Sequence, residues 1–261
     1  MNQYKHINFE KQGAIARIEL NRPDAANGLD SLMASELKQA ARLCDDDPAL
    51  KVVTLSADGR FFSAGGDLAQ MLSHGDAIGD AAQALADDFH EAISSLSRMQ
   101  AVLVIAVNGV AAGGGFSLTL IGDIVLAAES ARFTMAYTRA GLSPDGASSY
   151  FLPRLVGLRK AQELALTNPT LSAQEACEMG LVTRVVADAD LVSETGRLAS
   201  EIASGARIAQ AYVKKLLLAS AGNDLETQMA LEGQLLAQCA ASRDGREGIQ
   251  AFFDKRKPDF E

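Results

Sequence analysis

The sequence predicts an α/β fold, and three observations support this prediction. Short apolar segments typical of buried strands alternate with amphipathic segments typical of helices. Glycine-rich turns at 65–66 and 113–115 stand where a strand is followed by a helix. Beyond about residue 188 the pattern is helical only. With 261 residues, 48% of them hydrophobic, the chain is long enough to bury a sizeable core.

The first half of the chain predicts alternating strands and helices. Alternation over 14–20 predicts a strand, which Asn21-Arg22-Pro23-Asp24 ends. Asp30 or Ser31 is a suitable cap for the helix that follows. The remaining elements of this half are predicted as a strand over 52–56, a helix over about 83–99, a strand over 102–107, a helix over 116–121 and a strand over 124–128.

From about residue 145 the chain is predicted to be mostly helical. Ser172 and Glu175 have the spacing of a capping box, and Gly180 suits the position after that helix. A short strand over 181–186 precedes helices over 208–220 and 225–240, and a last helix starts at 244–247 and ends before Pro258. We therefore divide the chain into an α/β core that carries the site, 1–195, and a C-terminal helical region, 196–261.

The composition of the chain limits the classes of partner that the protein is expected to bind. The 24 basic residues are outnumbered by 33 acidic ones, and the net charge of −9 argues against nucleic acid. The longest apolar run, 101–107, is too short to span a bilayer, and no hydrophobic signal region opens the sequence. Cys44, Cys177 and Cys239 fit neither a disulfide framework nor a metal site, so we expect free thiols, no metal and a cytoplasmic location.

Two glycine-bearing segments, 62–68 and 108–116, flank the predicted strand 102–107. Each offers backbone N–H groups with little side chain in the way, and two such groups aimed at one point form an oxyanion hole. The alternative interpretation is structural: a tight turn at 65–66 and close helix-to-strand packing at 113–115. Dinucleotide binding is disfavoured because G-x-G-x-x-G is not matched. The functional interpretation predicts chemistry on a carbonyl group.

Three further side chains are candidates for chemistry. Asp145, in Ser143-Pro144-Asp145-Gly146, belongs either to a plain turn or to a loop that holds a base near a reacting carbonyl. His90, on a predicted helix, is either a packed or surface residue or a functional one. Ser117 is interpreted as structural, and G-x-S-x-G, the hydrolase nucleophile motif, is absent. Met71, Leu72, Ile78 and Phe89 suggest a mainly apolar pocket.

Taken together, these segments resemble the crotonase superfamily, also called the enoyl-CoA hydratase/isomerase family. The resemblance runs almost from end to end, and the motifs in this order are highly specific. They are Leu20-Asn21-Arg22-Pro23, Asn27-Gly28-Leu29, 62–68, 108–115, Gly122-Asp123-Ile124, 152–157 and 253–258.

The resemblance implies a crotonase-like spiral of ββα units with a C-terminal helical region that builds homotrimers and often hexamers. It also implies an acyl-CoA thioester substrate from fatty acid or aromatic acid metabolism, and no cofactor, since coenzyme A is part of the substrate. By position, the N–H groups of Gly66 and Gly114 would hold the thioester oxygen. The residues implied in binding coenzyme A and the substrate are Ala64, Gly65, Asp67, Leu68, Tyr137, Lys255 and Lys257.

The sequence departs from the resemblance at two positions. Hydratases of the family use two glutamates, and the matching positions here hold Ser117 and Tyr137. Water addition needs one group that activates water and another that protonates carbon, so ordinary hydratase activity is disfavoured. Asp145 matches the single aspartate of a subgroup of isomerases, and the segment after Ser143 looks closest to its ring-epoxide members in phenylacetyl-CoA breakdown.

We therefore predict an acyl-CoA isomerase in which Asp145 is the base and Gly66 and Gly114 hold the enolate oxygen, and we include His90 as a fourth candidate catalytic residue. One alternative is a hydratase or a hydrolase of the 4-chlorobenzoyl-CoA dehalogenase type, in which Asp145 is a nucleophile and His90 activates water. The dehalogenase also uses a tryptophan, and Tyr137 holds the matching position in this chain, which has no Trp. Another alternative is an acyl-CoA-binding subunit without catalysis.

Overall fold

Ten strands form two sheets in the computed structural model, which describes residues 4–260. The strands are β1 (Ile7–Gln12), β2 (Ile15–Leu20), β3 (Val52–Ala57), β4 (Phe61–Ser63), β5 (Val102–Val107), β6 (Val110–Ala112), β7 (Ile124–Ala128), β8 (Arg132–Thr134), β9 (Leu171–Ser172) and β10 (Arg184–Val186).

Eleven α-helices are present in the same described residues. They are α1 (Ser31–Asp45), α2 (Leu68–Ser73), α3 (Ile78–Arg98), α4 (Gly114–Thr119), α5 (Ser148–Val156), α6 (Leu158–Thr167), α7 (Ala173–Glu178), α8 (Leu191–Ala203), α9 (Arg207–Ser220), α10 (Leu225–Ala241) and α11 (Arg243–Asp254).

The strand order shows a repeated unit. The larger sheet has the order β1-β2-β3-β5-β7-β10, and the smaller has the order β4-β6-β8-β9. Three successive pairs, β3/β4, β5/β6 and β7/β8, each place the first strand in the larger sheet and the second in the smaller. Strands from successive pairs are parallel within each sheet. The chain therefore winds as a spiral of ββα units, and the predicted α/β class is confirmed.

Local signals in the sequence set the helix ends as predicted. The Asp30 side chain caps α1, where its Oδ1 accepts from the N–H of Met33 at 2.7 Å. Ser172 and Glu175 form both bonds of the capping box at the start of α7. Gly180 follows that helix with φ of +80°, a conformation that favours glycine.

Several boundaries differ from the predictions. The helix predicted over 83–99 begins at Ile78, and the one predicted over 116–121 is α4, which takes in two of the three glycines. The last helix begins at Arg243, because the Ser242 hydroxyl caps it. Of the strand predicted over 181–186, only Arg184–Val186 (β10) is a strand in the structure. The sequence analysis does not predict β1, an edge strand that is mostly polar. It also does not predict the short strands β4, β6, β8 and β9.

The C-terminal helices differ in how far they join the core. The predicted boundary between 195 and 196 falls inside α8. Leu191 and Leu198 of that helix are buried against Val52, Val104 and Leu126 of the larger sheet. By contrast, α10 and α11 bury only Leu235 and Ala251 among their described residues. None of the helices within 4–260 combines the length and hydropathy that a bilayer crossing requires.

Candidate active site

A cleft of about 350 Å³ lies between the two glycine turns, α3 and the loop that leads into α5. We call it the glycine cleft. Six of the predicted site residues line it, namely Ala64, Gly66, Leu68, Gly114, Tyr137 and Asp145. Most of the other lining side chains are small or apolar, and they come mainly from α2, α3 and the loop around Leu142. The structure thus brings both glycine turns and the candidate base to one cavity.

The first glycine turn leaves the N–H of Gly66 outside the pairing with Leu29. Leu29 pairs with Gly66 in an isolated parallel bridge. That bridge uses the carbonyl of Gly65, which accepts from the N–H of Leu29 at 2.7 Å, and the N–H of Asp67, which donates to the Leu29 carbonyl at 3.0 Å. The N–H of Gly66 points away from Leu29, as parallel pairing requires. Gly66 itself lines the cleft.

The second glycine turn supplies the start of a helix. Gly114 is the first residue of α4, so its N–H has no acceptor inside the helix. Gly113 has φ of +51°, and a Cβ at Gly115 would lie 2.4 Å from the carbonyl oxygen of Ser63. A Cβ at Gly65 would lie 3.1 Å from the Gly114 nitrogen, so the two turns pack directly on each other. The second glycine turn therefore combines close packing with an N–H group, that of Gly114, that has no partner inside α4.

The backbone carbonyl of Asp145 is held by hydroxyl groups. The Ser117 and Ser148 hydroxyls each donate to this oxygen at 2.8 Å, and the Tyr137 hydroxyl lies 3.2 Å from it. The Ser117 and Tyr137 hydroxyl oxygens are 2.8 Å apart. With the single Ser117 proton donated to the carbonyl, Ser117 accepts from Tyr137. This network fixes the loop that carries the Asp145 carboxylate.

The hydroxyls of Ser117 and Tyr137, at the positions that the resemblance matches to the hydratase glutamates, are uncharged. Ser117 is fully buried. Burial raises the pKa of the Tyr137 phenol, the Asp145 charge raises it further, and the hydrogen bond with Ser117 lowers it. Tyr137 is therefore neutral across the physiological range, as an ordinary phenol also is. Both positions act as hydrogen-bonding groups and hold no charge.

Gly146 lets the Asp145 loop approach α3 and α4. Its φ is +60°, and a Cβ there would lie 2.5 Å from Cε1 of Phe89 and 2.9 Å from Cβ of Ser117. Only glycine fits this combination of backbone conformation and contact. The Asp145 loop therefore fills the space beside Ser117, into which a longer side chain at position 117 would have to extend.

His90 contacts the candidate base directly. Its Nε2 lies 2.5 Å from Oδ1 of Asp145, and the side chains are 48% and 35% exposed. His90 does not appear among the described residues that line the glycine cleft. It lines a second groove of about 1070 Å³, formed by α3, α5 and α9, which Asp145 also lines. The structure thus brings into contact Asp145 and His90, the two residues of the dehalogenase-type alternative, with His90 outside the described lining of the glycine cleft.

Gly65 and Asp67, predicted to bind the substrate, lie beside the cleft but not among its described lining residues. The Asp67 carboxylate faces Arg22 instead, with Oδ2 at 2.8 Å from Nη1, and it caps α2 by accepting from the N–H of Gln70 at 3.0 Å. These bonds and the Arg22 charge lower the pKa of Asp67. Arg22 also donates to the Gly28 carbonyl at 3.0 Å, so it ties the Asn27-Gly28 turn to the first glycine turn.

The remaining predicted residues divide into two groups. Lys255 and Lys257 are exposed at and beyond the end of α11 and do not line the glycine cleft of the described chain. Met71 and Phe89 line the cleft as predicted. Leu72 is 74% exposed and, like Ile78, is absent from the described lining, because α2 and the start of α3 turn these side chains outward.

Two contributors were not predicted from the sequence. Ser148, which binds the Asp145 carbonyl, is three residues after it, a spacing at which a serine hydroxyl commonly reaches back to the backbone. Arg22 was recognised only as part of a motif, and its partner Asp67 is 45 residues away. No group of three or more His, Cys, Asp or Glu side chains in the described range is arranged to hold a metal ion.

Comparisons with known proteins point to one family. The sequence model of the enoyl-CoA hydratase/isomerase family matches residues 10–261. The chain is 36% identical to a Rhodobacter capsulatus protein named "Probable enoyl-CoA hydratase", over 98% of each chain. It is 34% identical to 1,2-epoxyphenylacetyl-CoA isomerase of Escherichia coli, over 94% of each. It also matches the structure of an enoyl-CoA hydratase from Polaromonas, with a TM-score of 0.92, 32% identity and coverage of 98% and 99%.

Proposed function

Because the chain belongs to the enoyl-CoA hydratase/isomerase family, we propose that it is an acyl-CoA isomerase with Asp145 as its single base. The observation that carries this proposal is the chemistry of the glycine cleft. Asp145 supplies the one carboxylate among the described residues that line the cleft. The positions of the two hydratase glutamates hold Ser117 and Tyr137, which are hydrogen-bonded to each other. One carboxylate suffices to move a proton between two carbons.

The proposed reaction is a proton shift beside a thioester. Asp145 removes a proton from the α or γ carbon, and the electron pair passes into the thioester carbonyl to give an enolate. The N–H groups of Gly66 and Gly114 would donate to the enolate oxygen. Such fixed donors act where charge develops, and loss of one typically costs about 3–4 kcal/mol. Asp145 then returns the proton at another carbon, which shifts a double bond or accompanies rearrangement of a ring epoxide.

The hydroxyl network supports a positioning role around Asp145. Ser117 and Ser148 would hold the backbone carbonyl of Asp145, and Tyr137 would hold Ser117, so that the carboxylate stays in reach of the substrate carbons. A misplacement of about 1 Å in such a group can lower a rate about a hundredfold. The likeness to an epoxyphenylacetyl-CoA isomerase also supports the isomerase assignment.

The coenzyme A portion is assigned by the family resemblance. Ala64, Gly65, Asp67 and Leu68 would border the adenine and pantetheine path, and Lys255 and Lys257 would contact phosphates, directly or from a neighbouring subunit. No separate cofactor is required, because coenzyme A arrives with the substrate. The proposed setting is the cytoplasm.

We propose a homotrimer, or a hexamer made of two trimers. Large apolar side chains of the C-terminal helices support such an assembly. Leu217 of α9, Leu236 of α10, and Phe252 and Phe253 of α11 are between 69% and 80% exposed in the single chain. Apolar surface of this kind commonly marks a protein interface. Light scattering after size exclusion would give the mass, and a monomer would contradict the proposal.

A second candidate function rests on the 2.5 Å contact between His90 and Asp145. In a hydrolase of the 4-chlorobenzoyl-CoA dehalogenase type, Asp145 attacks the ring of an aryl-CoA and His90 activates the water that releases the product. Rapid quench with 4-chlorobenzoyl-CoA, followed by mass analysis of the Asp145 peptide, would detect the covalent adduct. The isomerase forms no such adduct.

A substrate comparison separates the candidate functions. Purified protein is incubated with a 3-enoyl-CoA, with crotonyl-CoA in water and with 4-chlorobenzoyl-CoA. The isomerase proposal expects a conjugated 2-enoyl-CoA from the first and little or no product from the others. Preferential hydration of crotonyl-CoA would overturn it in favour of a hydratase. Tight binding of all three esters without turnover would favour a binding subunit.

A further inference from the structure

Asp145 and His90 lie between two cavities that the structure otherwise keeps separate. Asp145 and Pro144 line both the glycine cleft and the second groove. His90 lines the second groove and is absent from the described lining of the glycine cleft. The Asp145 carboxylate is therefore open on one side to the proposed substrate and on the other side to the histidine.

Substrate binding would leave the carboxylate one route to water. In the free chain the Asp145 side chain is 35% exposed. A thioester in the glycine cleft covers the side of the carboxylate that faces the cleft. The other side is in contact with Nε2 of His90, whose own side chain is 48% exposed. During a reaction, protons would thus pass between Asp145 and solvent through the imidazole.

The second groove is suited to hold water beside His90. Its lining includes Ser94, one helical turn beyond His90 on α3, together with Ser97, Tyr212 and Lys215. Hydroxyl and ammonium groups of this kind bind ordered water. A neutral imidazole accepts a proton at one nitrogen and releases one from the other, which no other neutral side chain does near neutral pH.

We propose that His90 is a proton-relay residue, through which Asp145 exchanges the proton taken from the substrate with water in the second groove. This inference rests on the proposed isomerase function. The proton passes from Oδ1 of Asp145 to Nε2 of neutral His90, so that one O–H bond breaks as one N–H bond forms. The imidazolium then gives its other N–H proton to water, and a water proton returns by the same route. No electrons are gained or lost.

The isotope content of the product tests the relay. The wild type, His90→Gln and Ser149→Ala convert a 3-enoyl-CoA in D₂O, and the reactions are stopped at low conversion. Deuterium is then counted by mass spectrometry in the 2-enoyl-CoA product and in the recovered substrate. Glutamine keeps an N–H that can donate to Asp145 but cannot pass a proton on. Ser149 of α5 lines the same groove and has no part in the proposed relay, so Ser149→Ala serves as the control. Asp145→Asn gives the background.

The relay predicts deuterium in the wild-type product and at least about threefold less deuterium in the His90→Gln product, and it predicts the wild-type content for Ser149→Ala. Equal deuterium in the wild type and His90→Gln would overturn it, and so would a wild type that incorporates none. Loss of both exchange and conversion in His90→Gln would also overturn it, because His90 would then take part in proton removal itself.

Failure of the isomerase proposal gives a different pattern. The recovered substrate would carry deuterium that depends on Asp145 and His90, while no conjugated product forms. The double-bond shift is scored by the appearance of the 2-enoyl-CoA, and the relay by isotope content in either compound. The two conclusions are therefore read from separate signals of one reaction.

Discussion

Ser117 and Tyr137 are hydrogen-bonded to each other, with 2.8 Å between their hydroxyl oxygens, and both reach the backbone carbonyl of Asp145. By the family resemblance, these two positions match those at which hydratases carry glutamates. Here the same positions hold the loop of a third residue in place. Under the proposed isomerase function, the two hydroxyls position the loop of the single carboxylate, and they supply no second acid for the addition of water.

Replacement of Tyr137 by Phe tests this support. The change removes the hydroxyl near Ser117 and the Asp145 carbonyl but keeps the buried ring. A hydrogen bond of this kind contributes about 1 kcal/mol, so we expect kcat to fall about fivefold with KM little changed. Steady-state kinetics on the 3-enoyl-CoA measures both constants.

The pH profile of Tyr137→Phe provides the control. Burial raises the pKa of Tyr137, so the phenol stays neutral in the wild type over the assay range. We therefore expect the same alkaline limb in the wild type and the variant. A limb that disappears in Tyr137→Phe would mean that the phenol ionises during the reaction, which contradicts a purely positioning role.

Restoration of a carboxylate at Ser117 is expected to fail as a route to hydration. Ser117 is fully buried, and Gly146 and Phe89 pack beside it and leave no space for a longer side chain. A glutamate there places a charge without a partner in the core, and we expect Ser117→Glu to lower the free energy of unfolding by about 3 kcal/mol or more. Urea unfolding measures this, with Ser117→Ala as a control that loses about 1–2 kcal/mol. A stable Ser117→Glu that hydrates crotonyl-CoA would contradict the packing argument.

Gly146 and Gly141 form a matched pair for testing the Asp145 loop. Both have positive φ, +60° and +72°, but a Cβ at Gly141 meets nothing within 4 Å, whereas one at Gly146 meets Phe89 and Ser117. We expect Gly141→Ala to cost about 1–2 kcal/mol of backbone strain and to leave the activity close to wild type. Gly146→Ala should cost more and lower kcat at least about tenfold, since it displaces Asp145. Equal kinetics for the two variants would show that the loop tolerates displacement.

Asp67 is expected to add a pH-dependent part to the stability. Its pKa is lowered from 3.8 mainly by the N–H of Gln70 and by Arg22, so the folded state favours the charged carboxylate. Asp67 therefore contributes its full stabilisation at pH values above its pKa in the unfolded chain. This stabilisation is lost as the pH falls through the pKa of Asp67 in the folded protein. The gap in unfolding free energy between the wild type and Asp67→Asn should be widest near pH 7 and should narrow below about pH 4. A gap that widens towards acid pH would contradict this assignment.

Local signals in the sequence predicted local structure well. Asp30 caps α1 and Ser172 begins α7 because each capping bond spans only three residues. The glycine turns were predicted for the same reason, since a positive φ and a close approach both require glycine at the position itself. Strands of three residues, such as β4 and β6, were not predicted because they are too short to show an alternating pattern.

The contacts within the site depend on the fold. His90 and Asp145 are 55 residues apart, and their 2.5 Å contact exists because α3 passes beside the loop that precedes α5. The sequence could name both residues as candidates, but it could not place His90 outside the glycine cleft. In the same way, Leu72 and Ile78 look like pocket residues by composition, and only the direction of their helices turns them outward.

Conversion of a 3-enoyl-CoA by the wild type and by Asp145→Asn, compared side by side, tests the central claim most directly. Asparagine keeps the size of the side chain and removes the base, so binding of the ester, followed by calorimetry, should change little. We predict that the wild type forms the conjugated 2-enoyl-CoA and that Asp145→Asn loses at least about a thousandfold in kcat. An Asp145→Asn variant with wild-type activity would contradict the account, because the proton would then move without the carboxylate.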